Sequence, residues 1–436
     1  MTGRVLLARA YPVVAVVFAG WLLLQGFERY QQTLKSPPWD ILLDWNGARV
    51  LRQGKNPYQP EGQREGRGRE WIAIAGPNLP FNLGHPPTTL VWFLPLARLD
   101  LEAARQVWDE LTLLLLFFHI ALIASELSLP SPLVTTALLV GAVLSTSWMQ
   151  DHLGVGQLSE AIAFLYAIAW LHLRRGRDAA AGIALGLACT LKFYPATVVL
   201  LLLFRGRWRA VLGAAAAWAA VAVPITWRLG VTSWWLFLEQ ARPYTARWLA
   251  HISNASLAGI LQRVHYSTCL AGDVYRTTWQ PGAWAATSLS LALILLSWRL
   301  GRGIHRGGEA VDLPFALFTT VSMITGPYSW EHYDVTLILP LLVVAAALAR
   351  ARTRGLGWEW IVPGAVATVA VVLMLAEDIG KKKALWQQYQ GPHKPSHLLL
   401  HFYEVTNWLP APTLIVVMAL LLAWSAGRER TNARIT

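Results

Sequence analysis

Asp44 lies beyond the first long apolar run, in the stretch Asp40-Ile-Leu-Leu-Asp44-Trp45. A carboxylate there, one helical turn from Asp40, has the chemistry of a general base for an incoming hydroxyl. The same spacing also fits a solvated interfacial helix with two acids on one face, in which Asp40 is a cap or first-turn acid. Lys192 stands in the middle of an apolar block, where an unpaired ammonium costs a few kcal/mol. Its expected partner is an anion, either a lipid phosphate or an acid such as Asp44; the alternative is snorkelling toward an interface. A third cluster reads Gly326-Pro327-Tyr328-Ser329-Trp330-Glu331-His332-Tyr333-Asp334. His332 in it has the chemistry to bind a phosphate or to help position a nucleophile, although a polar turn in an aromatic belt would read the same way. Gln157, with Asp151, His152 and Glu160, forms a further polar turn, and Asn254 and Ser256 add neutral donors. No local spacing assembles the convergent ligands of a metal site, so no metal and no cofactor is expected.

The elements that must position these groups are set by composition. Of the 436 residues 55% are apolar and only 14% are Asp, Glu, Lys or Arg, against about 25% charge in an average soluble domain. The apolar residues come in blocks of roughly 17 to 25, the length that crosses about 30 Å of hydrocarbon as a helix. A soluble enzyme, a secreted disulfide scaffold and a disordered regulator are excluded. So is a β-barrel, whose strands would alternate. The expected fold class is all-α: a single integral membrane domain over 1–436, with about 11–12 membrane segments. Two cysteines are too few for a disulfide framework. The formal net charge of +12 is carried by short basic runs between apolar blocks, the pattern of cytoplasmic loops rather than of a nucleic-acid-binding fold.

Candidate spans are 5–25, 104–125, 132–149, 158–173, 208–227, 282–298, 312–326, 334–349, 358–376 and 410–426. Arg4 and Arg9 before the apolar run 12–24 resemble a signal peptide, but no small-residue cleavage pattern follows, so the run reads as an uncleaved span. Block 178–204 is flanked by basic runs on both sides, at 174–177 and 205–209. One crossing cannot put both ends in the cytoplasm, and the block is too short for two full crossings. Two half-helices turning near 192–195 satisfy both constraints. Such a break survives in a membrane only where protein or a polar cavity satisfies the freed backbone groups.

With that hairpin, both termini and the flanking basic runs are expected on the cytoplasmic side of a plasma membrane. Segments 27–88, 148–157, 228–281, 326–333 and 377–409 then face the other side. In the first outer loop, 27–88, residues 41–53 read as an amphipathic helix stopped at Gly54, and Asn56-Pro57 starts a turn. The Gly/Arg/Glu/Gln-rich stretch 61–70 reads as mobile. Segment 228–281, rich in Trp among charges, reads as helices in the interface. Lys381, Lys382 and Lys383 in the loop 377–409 break the charge pattern and would attract anionic head groups or an acidic glycan.

Several motifs, taken in order, resemble glycosyltransferase family 87. They are Asp44-Trp45; Ala48-Arg-Val-Leu-Arg-Gln-Gly54-Lys-Asn-Pro57-Tyr58; His85-Pro86-Pro87 with Pro95-Leu96; Gly156-Gln157; and Ala181-Gly182 through Leu185-Gly186-Leu-Ala188 to Lys192 and Pro195. Asn254-Ala-Ser256 and Ser329-Trp330-Glu-His332 complete the set, so that the resemblance runs from about residue 40 to 350. It implies a GT-C-like transferase that takes a sugar, mannose or in some members arabinofuranose, from a polyprenyl phosphate. The acceptor is a lipid or glycan hydroxyl at the outer face, and the anomeric centre is inverted. The resemblance carries the role of base onto Asp44 and places Lys192 and His332 near the donor phosphate. It places Tyr58, His85, Gln157, Asn254 and Trp330 at the substrates.

The chain departs from the family pattern at His85, where an aromatic residue often precedes the Pro-Pro pair, at Ser159, where Asn is frequent, and at Tyr333, where a second His or similar polar residue is frequent. A carboxylate suffices as base, because a lipid phosphate leaves without an acid to protonate it. The absence of a Gly-rich phosphate loop agrees with a donor that is no nucleotide. The rival reading from another class is a transporter or flippase of lipid-linked sugars. It calls for paired broken helices in two halves, whereas this chain shows one broken hairpin and no visible repeat.

Overall fold

A computed structural model describes residues 3–76, 81, 83–251, 253–266, 280–353, 364 and 409–435. Among these residues the secondary structure is helical, apart from one isolated antiparallel bridge between Asn254 and Trp330. The chain opens with α1 (Gly3–Thr33) and the first loop, which holds α2 (Trp39–Arg52), α3 (Pro60–Gly66), α4 (Arg69–Ala75) and α5 (Thr89–Phe93). Then come α6 (Leu101–Glu126), α7 (Pro132–Leu144), α8 (Ser147–Val155), α9 (Ser159–Arg174), α10 (Asp178–Leu191), α11 (Ala196–Phe204) and α12 (Trp208–Leu229). The rest are α13 (Thr232–Trp248), α14 (Leu257–Tyr266), α15 (Gln280–Leu300), α16 (Asp312–Ile324), α17 (Ile338–Thr353) and α18 (Pro410–Ile435).

Among the described residues four segments are long and apolar enough to cross a bilayer: Leu101–Glu126, Trp208–Leu229, Gln280–Arg306 and Glu331–Arg350. The expected span 132–149 is instead a pair, α7 and α8, bent by 74°. Asp100 starts α6 by accepting the Ala103 amide at 2.8 Å. The spans expected at 158–173 and 312–326 are the shorter helices α9 and α16, of 16 and 13 residues. Almost every side chain of α16 is buried, and a helix enclosed on all sides needs no polar stripe. The expected span 358–376 and nearly all of the loop 377–409, with its three lysines, lie outside the described residues.

The first loop is built rather than loose. Stretch 61–70, read as mobile, forms α3 and the start of α4. Lys55 pairs with Glu65 at 2.5 Å and with Glu61 at 3.4 Å, and Arg49 with Glu70 at 3.3 Å. Such exposed pairs stabilise weakly, and the fixed backbone around them matters more. Asn56 accepts the Tyr58 amide at 3.0 Å and donates to Leu229 O and Ser233 Oγ, which ties the expected turn to α12 and α13. Arg105 at the start of α6 donates to the carbonyls of Thr33, Leu34 and Ser36, satisfying the C-terminal end of α1 just before α2 begins.

Block 178–204 folds as two helices broken at 192–195. Lys192 is extended (φ −148°, ψ 158°) and Pro195 leads into α11. α10 lies along α12 so closely that a Cβ on Gly182 would stand 2.6 Å from the Ala210 carbonyl carbon. One on Gly186 would stand 2.8 Å from Ala214 Cα. This is the small-residue contact by which membrane helices approach each other. The pairs 182/210 and 186/214 advance together, so α10 and α12 run parallel and α11 must return between them. Arg207, after α11, accordingly meets Asp178 at the start of α10 at 2.6 Å.

The basic runs gather at this end. Arg174 pairs with Glu126 at 3.5 Å and with Asp312 at 3.3 Å, and Arg350 reaches Asp312 and Glu309. Arg205 lies over the Trp298 ring at 5.3 Å. Lys192 is one α10 length away, about 20 Å at 1.5 Å per residue.

Candidate active site

The site forms where α2, the turn after the first loop, the end of α8, the hairpin break and the turn before α17 meet. α2 is anchored by Trp45, whose Nε1 donates to Leu96 O at 3.2 Å, and by Arg52, which donates to Ala97 O at 2.6 Å. Its buried face carries Asp44, so the reading as a solvated interfacial helix does not describe this element: Asp44 is only 1% exposed.

A carboxylate so buried needs compensation. His85 supplies it, with Nδ1 at 2.9 Å from Oδ2 and 3.1 Å from Oδ1 of Asp44. His85 is itself held by Tyr58, whose hydroxyl donates to His85 O at 2.9 Å. Burial, and then the Asp44 charge, raise the Tyr58 phenol well above its usual range, so it stays a neutral donor.

The hairpin break delivers Lys192 to the same place. Its Nζ donates to Gln157 Oε1 at 2.7 Å and to Tyr333 OH at 2.9 Å, and it lies 4.2 Å from the Tyr333 ring centroid. Gln157 Nε2 in turn donates to Asp40 Oδ2. Desolvation raises the Asp40 carboxyl above the usual range, against the pull of His85 and Lys192. Gly156 makes the Gln157 position possible. It ends α8 in a left-handed conformation (φ +72°), and a Cβ there would meet Ile41 Cβ of α2 at 2.8 Å.

The carbonyls freed by the break are satisfied by protein. Thr88 Oγ1 donates to Thr190 O at 2.7 Å and Thr89 Oγ1 to Leu191 O at 2.9 Å. Trp92 Nε1 donates to Thr190 Oγ1 at 2.9 Å. The segment that carries His85 therefore also clips the segment that carries Lys192. Irregular backbone at membrane depth is tolerated on this condition.

Asp44, His85 and Tyr58 thus form one hydrogen-bonded set and Lys192, Gln157 and Asp40 a second, and the charges of Asp40 and Asp44 act across the two sets on His85 and Lys192. His332 lies beside the second set, its ring 5.1 Å from that of Tyr333 and 6.2 Å from that of Trp330 in a stacked arrangement. Trp330 also packs on Trp248 and His251. Asn254 has a different task. Its amide donates to Leu249 O and Pro327 O and accepts from the Ser256 and Ser329 amides. The main chain takes up this buried side chain, which shapes the loop that presents Trp330. Sequence reasoning missed Tyr333 as a Lys192 partner, Asp40 as part of the second set, and Thr88 and Thr89 as the clip. Among the described residues no group of three or more His, Cys, Asp or Glu converges as a metal site.

The cluster brings a carboxylate–imidazole pair, Asp44 with His85, into electrostatic reach of a buried lysine, Lys192. An all-helical chain with several spans and such a polar cluster enclosed at one end has the layout of an integral-membrane enzyme. The profile of glycosyltransferase family 87 matches residues 83–326, more than half of the chain, and the chain belongs to that family. It is a multi-pass membrane glycosyltransferase.

The chain is 28% identical over 332 residues to a polyprenol-phosphate-mannose-dependent alpha-(1-2)-phosphatidylinositol mannoside mannosyltransferase of Mycobacterium tuberculosis, covering 73% of this chain and 72% of the relative. It is 27% identical over 380 residues to the protein so described in Mycolicibacterium smegmatis, covering 80% and 83%. A phosphatidylinositol pentamannoside mannosyltransferase of the latter organism, also polyprenol-phosphate-mannose-dependent, is 25% identical over 300 residues, covering 65% and 67%. No solved structure matches the chain.

Proposed function

We propose that the protein moves a mannosyl residue from a polyprenyl-phosphate mannose to a hydroxyl of a lipid-anchored or glycan acceptor, at the outer face of the plasma membrane and with inversion. The observation that carries this reading is the buried Asp44–His85 pair lying within electrostatic reach of Lys192, which Gln157 ties to Asp40. The relatives named above, which use that donor on phosphatidylinositol mannosides, support the sugar and the acceptor class.

In this mechanism the acceptor oxygen attacks the anomeric carbon as the bond from that carbon to the phosphate oxygen breaks. The base centred on Asp44 draws off the hydroxyl proton. The leaving polyprenyl phosphate gains negative charge, and a fixed cation beside it stabilises the transition state more than the ground state. Lys192 supplies that cation, with His332 near the phosphate and Trp330 against the sugar. Membrane lipids solvate the donor's tail, and neither a nucleotide nor a nucleic acid takes part. A flippase would have little use for a base braced in this way.

Incubating the purified protein with labelled polyprenyl-phosphate sugars tests the reading directly. Consumption of the mannose donor, with a mannosylated lipid as product, is expected. Consumption of the arabinofuranose donor instead would reassign the sugar, and movement of donor across vesicles without transfer would leave a flippase. Asp44→Asn is expected to lower transfer by about 1,000-fold or more while donor binding persists. Near-normal turnover by that variant removes Asp44 from the base.

A further inference from the structure

We propose that the proton leaving the acceptor hydroxyl is taken up at His85 Nε2, with Asp44 holding the ring through Nδ1 and stabilising the imidazolium that forms. The inference rests on the reading that Asp44 belongs to the base, and it changes which atom meets the hydroxyl.

Three observations carry it. The Asp44 side chain is 2% exposed and that of His85 15%, so of the two it is the imidazole that an acceptor can reach. The Asp44 oxygens lie 2.9 and 3.1 Å from the same ring nitrogen. An ionised carboxylate only accepts hydrogen bonds, so Nδ1 carries the hydrogen and the neutral ring has its lone pair on Nε2. The ring is also fixed in place. Tyr58 holds the His85 carbonyl, and Pro86 and Pro87 follow with restricted φ. A buried carboxylate that sets the tautomer of an imidazole, which then does the proton transfer, is the division of labour of the Ser-His-Asp hydrolases.

The groups facing the pair are Asp40 from α2, Tyr58 from the first loop and Lys192 from the hairpin break. The step balances within the proposed transfer. The acceptor O–C1 bond forms, and the C1–O bond to the phosphate breaks with its electron pair going to the phosphate oxygen. The proton goes to Nε2 and is lost to water after product leaves.

His85→Asn separates the two roles of the ring. The Asn amide nitrogen replaces Nδ1 and keeps a donor to Asp44, while no basic lone pair remains at the position of Nε2. Assayed as purified full-length protein with polyprenyl-phosphate mannose, His85→Asn is expected to lose about 100-fold or more in kcat, with the donor KM within about twofold. If His85→Asn keeps wild-type kcat while Asp44→Asn is inactive, His85 only braces Asp44 and the proposal fails alone. If both variants turn over normally, the reading of Asp44 fails with it. Should His85→Asn not fold, His85→Gln, which puts a non-basic amide near the position of Nε2, decides by the same kcat reading: a wild-type kcat overturns the proposal.

Discussion

Lys192 shows how far single residues could be read. A lysine inside an apolar block stands out in one dimension because the cost of burying it has no local remedy. The remedy is distant in sequence: Gln157 is 35 positions away and Tyr333 is 141. Lys192→Ala removes the cation that the leaving phosphate would meet, so the donor KM is expected to rise and kcat to fall, together about 10-fold or more. Steady-state kinetics over a range of donor concentrations measures both, and unchanged values take Lys192 out of the site. Tyr58 and Gln157 were legible as belonging to the site but not as what they do. Motif order marks them; it does not say that Tyr58 braces a histidine carbonyl or that Gln157 bridges a lysine to Asp40. Which groups share a hydrogen bond depends on helix rotation and turn geometry, and short motifs do not encode these.

The hairpin is the element most fully legible beforehand. Arginines on both flanks of a block too short to cross twice leave little else for 178–204 to do, and Pro195 marks the turn. The sequence does not reveal what holds the break together, because Thr88 and Thr89 sit about a hundred positions from the carbonyls they satisfy and look like any Thr pair. Replacing both with Val keeps the shape and removes the donors, leaving two buried carbonyls to find other partners. A loss of about 1–3 kcal/mol per carbonyl is expected, read as a lower unfolding temperature in detergent together with reduced transfer. An unchanged unfolding temperature would mean that water or lipid head groups satisfy the break instead. The bend between α7 and α8 escaped the sequence for a related reason, since a continuous apolar run does not say where a helix turns.

On the scale of the whole molecule, two ends of opposite character stand out. One collects Arg174, Arg205, Arg207 and Arg350 with Glu126, Asp178, Glu309 and Asp312. The other collects Asp44, His85, Lys192 and the aromatic turn at 328–333. Charge bias in the sequence separates the same two sets, because insertion into a membrane acts on loops and not on tertiary contacts. Reporter fusions are expected to place 205–209 in the cytoplasm and the first loop outside; a fusion at 205–209 that reports the outside would invert the topology and the face on which acceptors are met. The span between His85 and Thr88 adds a constraint of another kind. Two consecutive prolines connect the residue that touches Asp44 to the residue that grips the hairpin, and neither can rotate about φ. If His85 takes the proton and Lys192 meets the phosphate, as proposed, this stiff connection limits how far the two can move apart. On that reading, a donor and acceptor that do not bridge the gap together are expected to react poorly whatever their separate affinities.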